Sequence, residues 1–345
     1  MGKTKIDKEI LLEFILNNIT NHSKDISILT AVKFDISRQT VYRYIRKLID
    51  LEIIEAIGAG NKKEYKLKNK SYKYSLVIDG SWDEETVWES YVRPLISNIP
   101  ENVLWICHYG VTEMVNNVLE HSEATKLELE IKINALNIEF IIKDDGVGIF
   151  SKIQRDFNLT EKRHSILELA KGKLTSDPEN HTGEGIFFTS RMFEQFIIIS
   201  EDIAFVVHVI DVLYPDRKEF LKGTLVEMKI NKKSNTDATE VFSRFTPGSG
   251  NEDFGFEKTI VPVRLIQYEG DSLISRSQAK RLIARFDRFQ EVVLDFNGVT
   301  SIGQPFADEV FRVFKNKFPK VHLLQINTNE KIDNMIKHVL ANVIE

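Results

Sequence analysis

Residues 111–122 read VTEMVNNVLEHS. Glu113, Asn117 and His121 recur at a spacing of four, while Met114, Val115, Val118 and Leu119 hold the other side, so the stretch predicts a helix with one polar and one apolar face. Three polar groups stacked over two turns can meet one ligand together. A carboxylate orients water, a carboxamide oxygen suits a hard cation, and an imidazole stands beside them. Alone, the same pattern also fits a solvated helix face.

Just downstream, KLELEIKIN (126–134) and IEFIIKDDGVGIF (138–150) alternate with period two, which predicts a hairpin that delivers DDGVGI to a strand end. Asp144 then closes the strand as an acceptor suited to an exocyclic amine. Gly146 and Gly148 permit a tight bend and the close approach of a flat ring to backbone. Further along, HTGEGIFFTSRMFEQF (181–196) sets Thr182, Gly183 and Gly185 before a helix-like run, whose unpaired amides and dipole favour phosphate. The fourth piece, KGTLVEMKI (222–230), starts a strand near Gly223 and Thr224 after the alternating run IAFVVHVIDVLYP. Between the second and third pieces lie Arg155, Lys162, Arg163, Lys171 and Lys173, a segment that reads either as a cover for the site or as a long surface loop with one short helix, RHSILELAKGK.

In this order and spacing, ExxxNxxxH, DxGxG, TGEG and GT resemble the GHKL-type (histidine kinase-like) ATP-binding domain of anti-sigma-factor kinases, sensor histidine kinases, type II topoisomerases and MutL-type repair proteins. The resemblance covers residues 80–232. It implies an α/β sandwich with an antiparallel sheet, ATP and Mg2+ as ligands, and a lid over them. By that resemblance Glu113 polarises the attacking water or acceptor hydroxyl and Asn117 holds Mg2+. Asp144 binds the adenine amino group, Gly146 and Gly148 shape the adenine pocket, and Thr182, Gly183 and Gly185 face the phosphates. Thr224 supports the adenine end through water, and His121 completes the motif. A GxxxxGKS/T loop and a GxGxxG turn are both missing from the sequence, which disfavours the P-loop and Rossmann alternatives. His164 lacks the acidic and proline follow-through of a phosphoacceptor histidine, so conventional two-component signalling is a poor fit.

Before this region, residues 1–75 contain 15 Lys or Arg against 9 Asp or Glu, although the whole chain carries a formal net charge of -5. Apolar residues at helical spacing predict two short helices. Ser37 then N-caps a third, in which Val41, Ile45, Leu48 and Ile49 turn inward. AIGAGNKKEYKLKN (56–69) adds a hairpin with Lys62 and Lys63 at its tip. Helices followed by a basic hairpin resemble a winged helix-turn-helix domain. The resemblance implies binding of double-stranded DNA, with Arg38, Gln39 and Thr40 toward base edges and Arg43, Arg46, Lys62 and Lys63 toward phosphates. A helical adaptor or a dimerisation module would use the same pattern.

Residues 233–257, KSNTDATEVFSRFTPGSGNEDFGFE, have a linker-like composition, or extend one of their neighbours. From 258 to 345 short apolar strands such as VVLDF and VHLLQI alternate with amphipathic helices, which predicts a small α/β domain with a partly parallel sheet. The order around VVLDFNGVTSIGQPFADEVF resembles a STAS-like domain, related in outline to anti-sigma-factor antagonists. Those antagonists carry a phosphoacceptor serine in a DSSG turn, where this chain has Gly303, Gln304, Pro305 and Phe306. Thr300 and Ser301 lie immediately before and either accept phosphate or finish a turn.

The fold expected is therefore multidomain α/β: a winged-helix head (1–75), a GHKL-type sandwich (80–232), a linker (233–257) and a STAS-like tail (258–345). The single cysteine, Cys107, excludes an internal disulfide and a thiolate zinc site, and no apolar window approaches a membrane helix, so a cytoplasmic location without membrane contact is expected. The expected function is a DNA-binding transcriptional regulator switched by Mg-ATP binding or slow hydrolysis, with a homodimer and a protein partner for residues 258–345 as further expectations. Two alternatives stand beside it: an anti-sigma-type protein serine/threonine kinase acting on a partner, and a defence- or stress-associated ATPase.

Overall fold

The computed structural model describes residues 7–175, 183–207, 211–213, 221–246, 256–267 and 272–341. Within them the protein is a mixed α/β chain with sheets of two, seven and three strands.

The first unit contains helices α1 (Lys8–Asn18), α2 (Ile26–Phe34) and α3 (Arg38–Asp50), then an antiparallel hairpin of β1 (Ile54–Ile57) and β2 (Glu64–Leu67). Asp7 and Ser37 cap α1 and α3 by accepting backbone amides from Glu9 and Thr40. The helical period buries Leu11 and Ile15 from α1 and Val41, Ile45 and Leu48 from α3 into a core separate from the rest of the molecule. Ile54 and Tyr65 of the hairpin close that core.

Only Lys68 and Asn69 separate β2 from the next strand, β3 (Lys70–Val77). After it come α4 (Glu84–Val87), the long α5 (Glu101–His121), β4 (Lys126–Ile133) and β5 (Asn137–Asp144). Helices α6 (Ile149–Asp156), α7 (His164–Lys171) and α8 (Gly185–Met192) precede β6 (Gln195–Glu201), β7 (Ile203–Val206), β8 (Asp211–Leu213), β9 (Leu221–Asn231) and α9 (Ala238–Ser243). The seven strands run in the order β3-β4-β5-β9-β6-β7-β8, every neighbouring pair antiparallel. Period-two alternation sends Leu127, Leu129, Ile131, Ile138, Phe140 and Ile142 to one buried face, covered by α5 and α8. The opposite face of β4 and β5 is charged and laced by ion pairs such as Lys132–Glu139 at 2.7 Å.

The last unit contains β10 (Lys258–Pro262), α10 (Arg276–Ile283), β11 (Glu291–Asp295), α11 (Gln304–Ala307), α12 (Phe314–Lys317), β12 (His322–Ile326) and α13 (Glu330–Ala341). Its three strands are parallel, in the order β10-β11-β12. This unit shares one continuous core with the seven-stranded sheet. Phe256 is the hinge of that core, with its ring 4.4 Å from Phe187, 5.0 Å from Phe188 and 5.6 Å from Phe289, centroid to centroid.

The stretch with linker composition is thus built into the structure where it is described. Asp237 caps α9, and Val241, Phe245 and Phe256 are buried. Its polar residues set the composition, but its three large apolar side chains find partners on α8 and the tail, and burial of such side chains outweighs local polarity. Among the described residues, no helix is long and apolar enough to cross a membrane, and no group of three or more His, Cys, Asp or Glu could hold a metal ion.

Candidate functional site

Glu113, Asn117 and His121 lie on α5, whose buried side carries Met114, Val115 and Val118. The three polar residues are half-buried and stand over the end of β5 and the start of α8. Asn117 Nδ2 donates to the Glu113 carbonyl at 2.8 Å, which commits the amide nitrogen and leaves its oxygen as the acceptor.

Two adjoining cavities open there. The first, of about 120 Å3, is mainly apolar: Met114, Ile142, Ile153, Phe157 and Val226 line it, with Asp144 among them. The second, of about 260 Å3, is polar and contains Glu113, Asn116, Asn117 and the Gly183–Gly185 turn. Asn117, His121, Leu169, Leu174, Thr175 and Ile186 line both, so the two cavities are halves of one cleft.

Asp144 is only 4% exposed. Its Oδ1 accepts backbone amides from Gly146 at 2.8 Å and Thr224 at 3.2 Å. Burial nevertheless holds the carboxyl above its ordinary range, because the two amides recover only part of the lost hydration. Thr224 Oγ1 in turn accepts the Ile149 amide at 2.9 Å, tying β9 to the first turn of α6. Gly148 begins that turn with a φ of +83°, and an added Cβ would stand 2.6 Å from Ser200 Oγ. The sequence-selected residues Asp144, Gly148 and Thr224 therefore line one end of the cleft, while Gly146 stands behind it and holds Asp144 through its amide.

At the other end, Glu113 lies against the turn that opens α8: a Cβ at Gly185 would fall 1.9 Å from Glu113 Oε2. Burial, reinforced by Glu184, raises the Glu113 carboxyl above its usual range and so makes its ionised form a better proton acceptor. Burial also pushes the Tyr109 phenol up, and Glu113 adds to that shift. The Leu174 amide donates to the Gly183 carbonyl at 3.1 Å, closing the base of the loop between them. Thr182 lies outside the described residues.

The described part of the segment between the second and third motifs lies over the cleft, but Lys162, Arg163, Lys171 and Lys173 are bonded away from it. Lys162 pairs with Glu201, Arg163 donates to the Gln267 carbonyl at 2.9 Å, and Lys173 bonds Glu257 and the Arg288 carbonyl. Lys171 is fully buried. The segment faces the cleft with Phe157, Leu169 and Leu174, and with Lys152, which is paired with Asp156 at 3.1 Å. Motif reading missed these wall residues. The apolar period of α6, with Ile149 and Ile153 beside Lys152 and Asp156, was the signal available for them.

In the first unit, Arg38, Gln39, Arg43 and Arg46 are exposed on α3, and Lys62 and Lys63 are exposed after the turn at Gly60. Thr40 differs: its hydroxyl lies 3.0 Å from Ser37 Oγ and accepts from Arg43 at 3.2 Å, so it serves the helix cap. In the last unit, Thr300 and Ser301 are exposed and line neither half of the cleft.

None of the curated proteins compared with the chain matches it. Residues 278–333, from within α10 to the first turn of α13, match the family described as a STAS-like domain of unknown function (DUF4325), so the last unit contains a STAS-like domain.

Proposed function

We propose that the protein is an ATP-binding regulator of the GHKL type, in which Mg-ATP occupies the cleft between α5, β5 and α8 and sets the state of a DNA-binding winged-helix head. The carrying observation is the division of the cleft: an apolar half that ends on the buried carboxylate of Asp144 adjoins a polar half formed by Glu113, Asn117 and a glycine turn. A purine with an exocyclic amine fits the first half, because Asp144 supplies an acceptor beneath apolar walls. A phosphate chain fits the second, because the Gly183–Gly185 turn leads into α8 and offers amides where a side chain would not fit. The oxygen of Asn117 is a hard donor for Mg2+, and Mg2+ would offset the negative charge that phosphates bring beside Glu113. Glu113 would orient a water and take its proton.

DNA binding rests on the exposed cations of α3 and the hairpin, together with the +6 balance of residues 1–75 against -11 for the remainder. Exposure of Thr300 and Ser301 away from the cleft favours a binding switch over phosphate transfer within one chain. Isothermal titration of the full chain with Mg-ATP tests the reading. Saturable one-site binding that Asp144→Asn weakens by about 100-fold supports it, and absence of heat with the wild type overturns it.

A further inference from the structure

The STAS-like unit and the cover of the cleft exchange helix caps. Helix α7 ends at Lys171, and the two carbonyls just past its end, Gly172 O and Lys173 O, accept from the Arg285 guanidinium. Helix α10 ends at Ile283, and the carbonyls of Arg281 and Ala284 accept from Lys171 Nζ at 3.1 and 2.9 Å. Each helix thus has a cation from the other unit on carbonyls at or just past its C-terminal end, the charge sign that a helix C-terminus favours. Glu168 lies between the cations, with Oε1 2.7 Å from Lys171 Nζ and Oε2 2.6 Å from Arg285 Nη1. Thr259 Oγ1 closes the junction by donating to the Lys171 carbonyl at 2.7 Å.

Three features tie this junction to the cleft. Leu169, one residue from Glu168, lines both cavities. Arg285 stands 5.4 Å from the ring centroid of Phe157, which lines the Asp144 half. Arg285 also holds a left-handed φ of +66°, a conformation that costs a non-glycine residue energy and persists only where its surroundings impose it.

We infer that Arg285 and Lys171 are positioning residues for the nucleotide site, through which the STAS-like unit holds the α7 cover down over the bound ligand. The inference rests on the nucleotide reading above. Lifting α7 away from the cleft would break the contacts that Lys171 and Glu168 make to the STAS-like unit, to the Arg281 and Ala284 carbonyls and to Arg285, while the Lys171–Glu168 pair would move with the helix. Whatever docks on the STAS-like unit and shifts α10 would then set the residence time of the nucleotide, as coupling between distinct sites requires.

The experiment compares wild type, Arg285→Gln and Arg285→Lys as full chains. Stopped-flow release of a fluorescent ATP analogue with Mg2+ gives the dissociation rate, and hydrogen exchange without ligand reports opening of residues 164–175. Arg285→Gln is expected to raise release by about tenfold, with association changed less than twofold, and to raise exchange in α7. Arg285→Lys, which keeps the charge but loses the fork, falls between the two. Unchanged release from an Arg285→Gln protein that still binds overturns the inference. Absence of analogue binding by the wild type instead overturns the nucleotide reading, and the exchange data then still report whether the clamp exists. If Arg285→Gln does not fold, Glu168→Gln with Arg285→Met removes both charges together and gives the same readouts.

Discussion

Glu113 and Gly185 touch across the polar half of the cleft so closely that a methyl group on Gly185 would stand 1.9 Å from Glu113 Oε2. No rotamer adjustment of α8 relieves such an overlap, because the carboxylate itself must leave. Gly185→Ala is therefore expected to push the Glu113 carboxylate, the far end of a flexible side chain, out of the turn with little change in stability. ATP turnover should fall by at least about 100-fold with the Glu113 carboxylate displaced. Thermal denaturation and steady-state phosphate release check the two effects. Turnover equal to wild type would mean that Glu113 has no part in it.

Asp144 illustrates a conflict between function and stability. Its pKa is raised by burial, so between the unfolded value and the raised folded value the native state keeps a proton that the unfolded chain has lost. Stability consequently falls as pH rises through that window, and the penalty is complete above the folded pKa. Asp144→Asn keeps an oxygen for the Gly146 and Thr224 amides and carries no charge. It is expected to stabilise the ligand-free protein by roughly 0.5–2 kcal/mol at pH 7 and by nothing at low pH. The same change puts an amide donor near the ring amine and should weaken ATP binding by about 100-fold. Denaturant titrations at acid and neutral pH, beside calorimetry, read both sides of the conflict.

What the sequence revealed, and what it hid, follows from how each segment is buried. Helix α3 was legible because one face alone is buried: Ser37 caps it, and Val41, Ile45 and Leu48 mark the period. Strands β4 and β5 were legible for the same reason, with charged residues alternating against Leu127, Leu129, Phe140 and Ile142. Helix α7 was legible only as a short helix in RHSILELAKGK and not as a buried one, since all eight of its residues are buried and its charges, Glu168 and Lys171, face another unit rather than solvent. Nor was the packing of residues 238–246 legible, where the two buried side chains Val241 and Phe245 are diluted by Ser, Thr and Arg. Side-chain partners remote in sequence, such as Arg285 for Glu168, leave no local period at all.

On the exposed side of α3, Arg43 and Arg46 have no carboxylate at hydrogen-bond distance among the described residues. If they neutralise phosphates, Arg43→Ala with Arg46→Ala should weaken DNA binding at all sequences and lower the salt slope of log K by about 2. Fluorescence anisotropy over a salt series measures it. An unchanged slope would assign the face to protein contact instead.

If the first unit and the cleft are coupled, the covalent route between them is short. Strand β2 ends at Leu67 and β3 begins at Lys70, and β3 pairs with β4, which pairs with β5, whose last residue is Asp144. The connection is also pinned from the side: Lys68 bonds Glu52 at 2.8 Å, Asn69 accepts from Asn134 at 2.9 Å, and Lys233 bridges to Glu13 at 2.7 Å. Two pinned residues transmit orientation, whereas a Gly/Ser segment behaves as a flexible coil and transmits only tethering. Insertion of six Gly/Ser residues after Lys68 is thus expected to leave both DNA affinity and ATP affinity within about twofold of wild type, because neither core is touched. The effect of ATP on DNA affinity should disappear in that variant, as should the reciprocal effect of DNA on ATP. Anisotropy titrations of labelled DNA with and without Mg-ATP provide the test. A nucleotide effect that survives the insertion would place the coupling outside this strand, in an interface between copies of the chain.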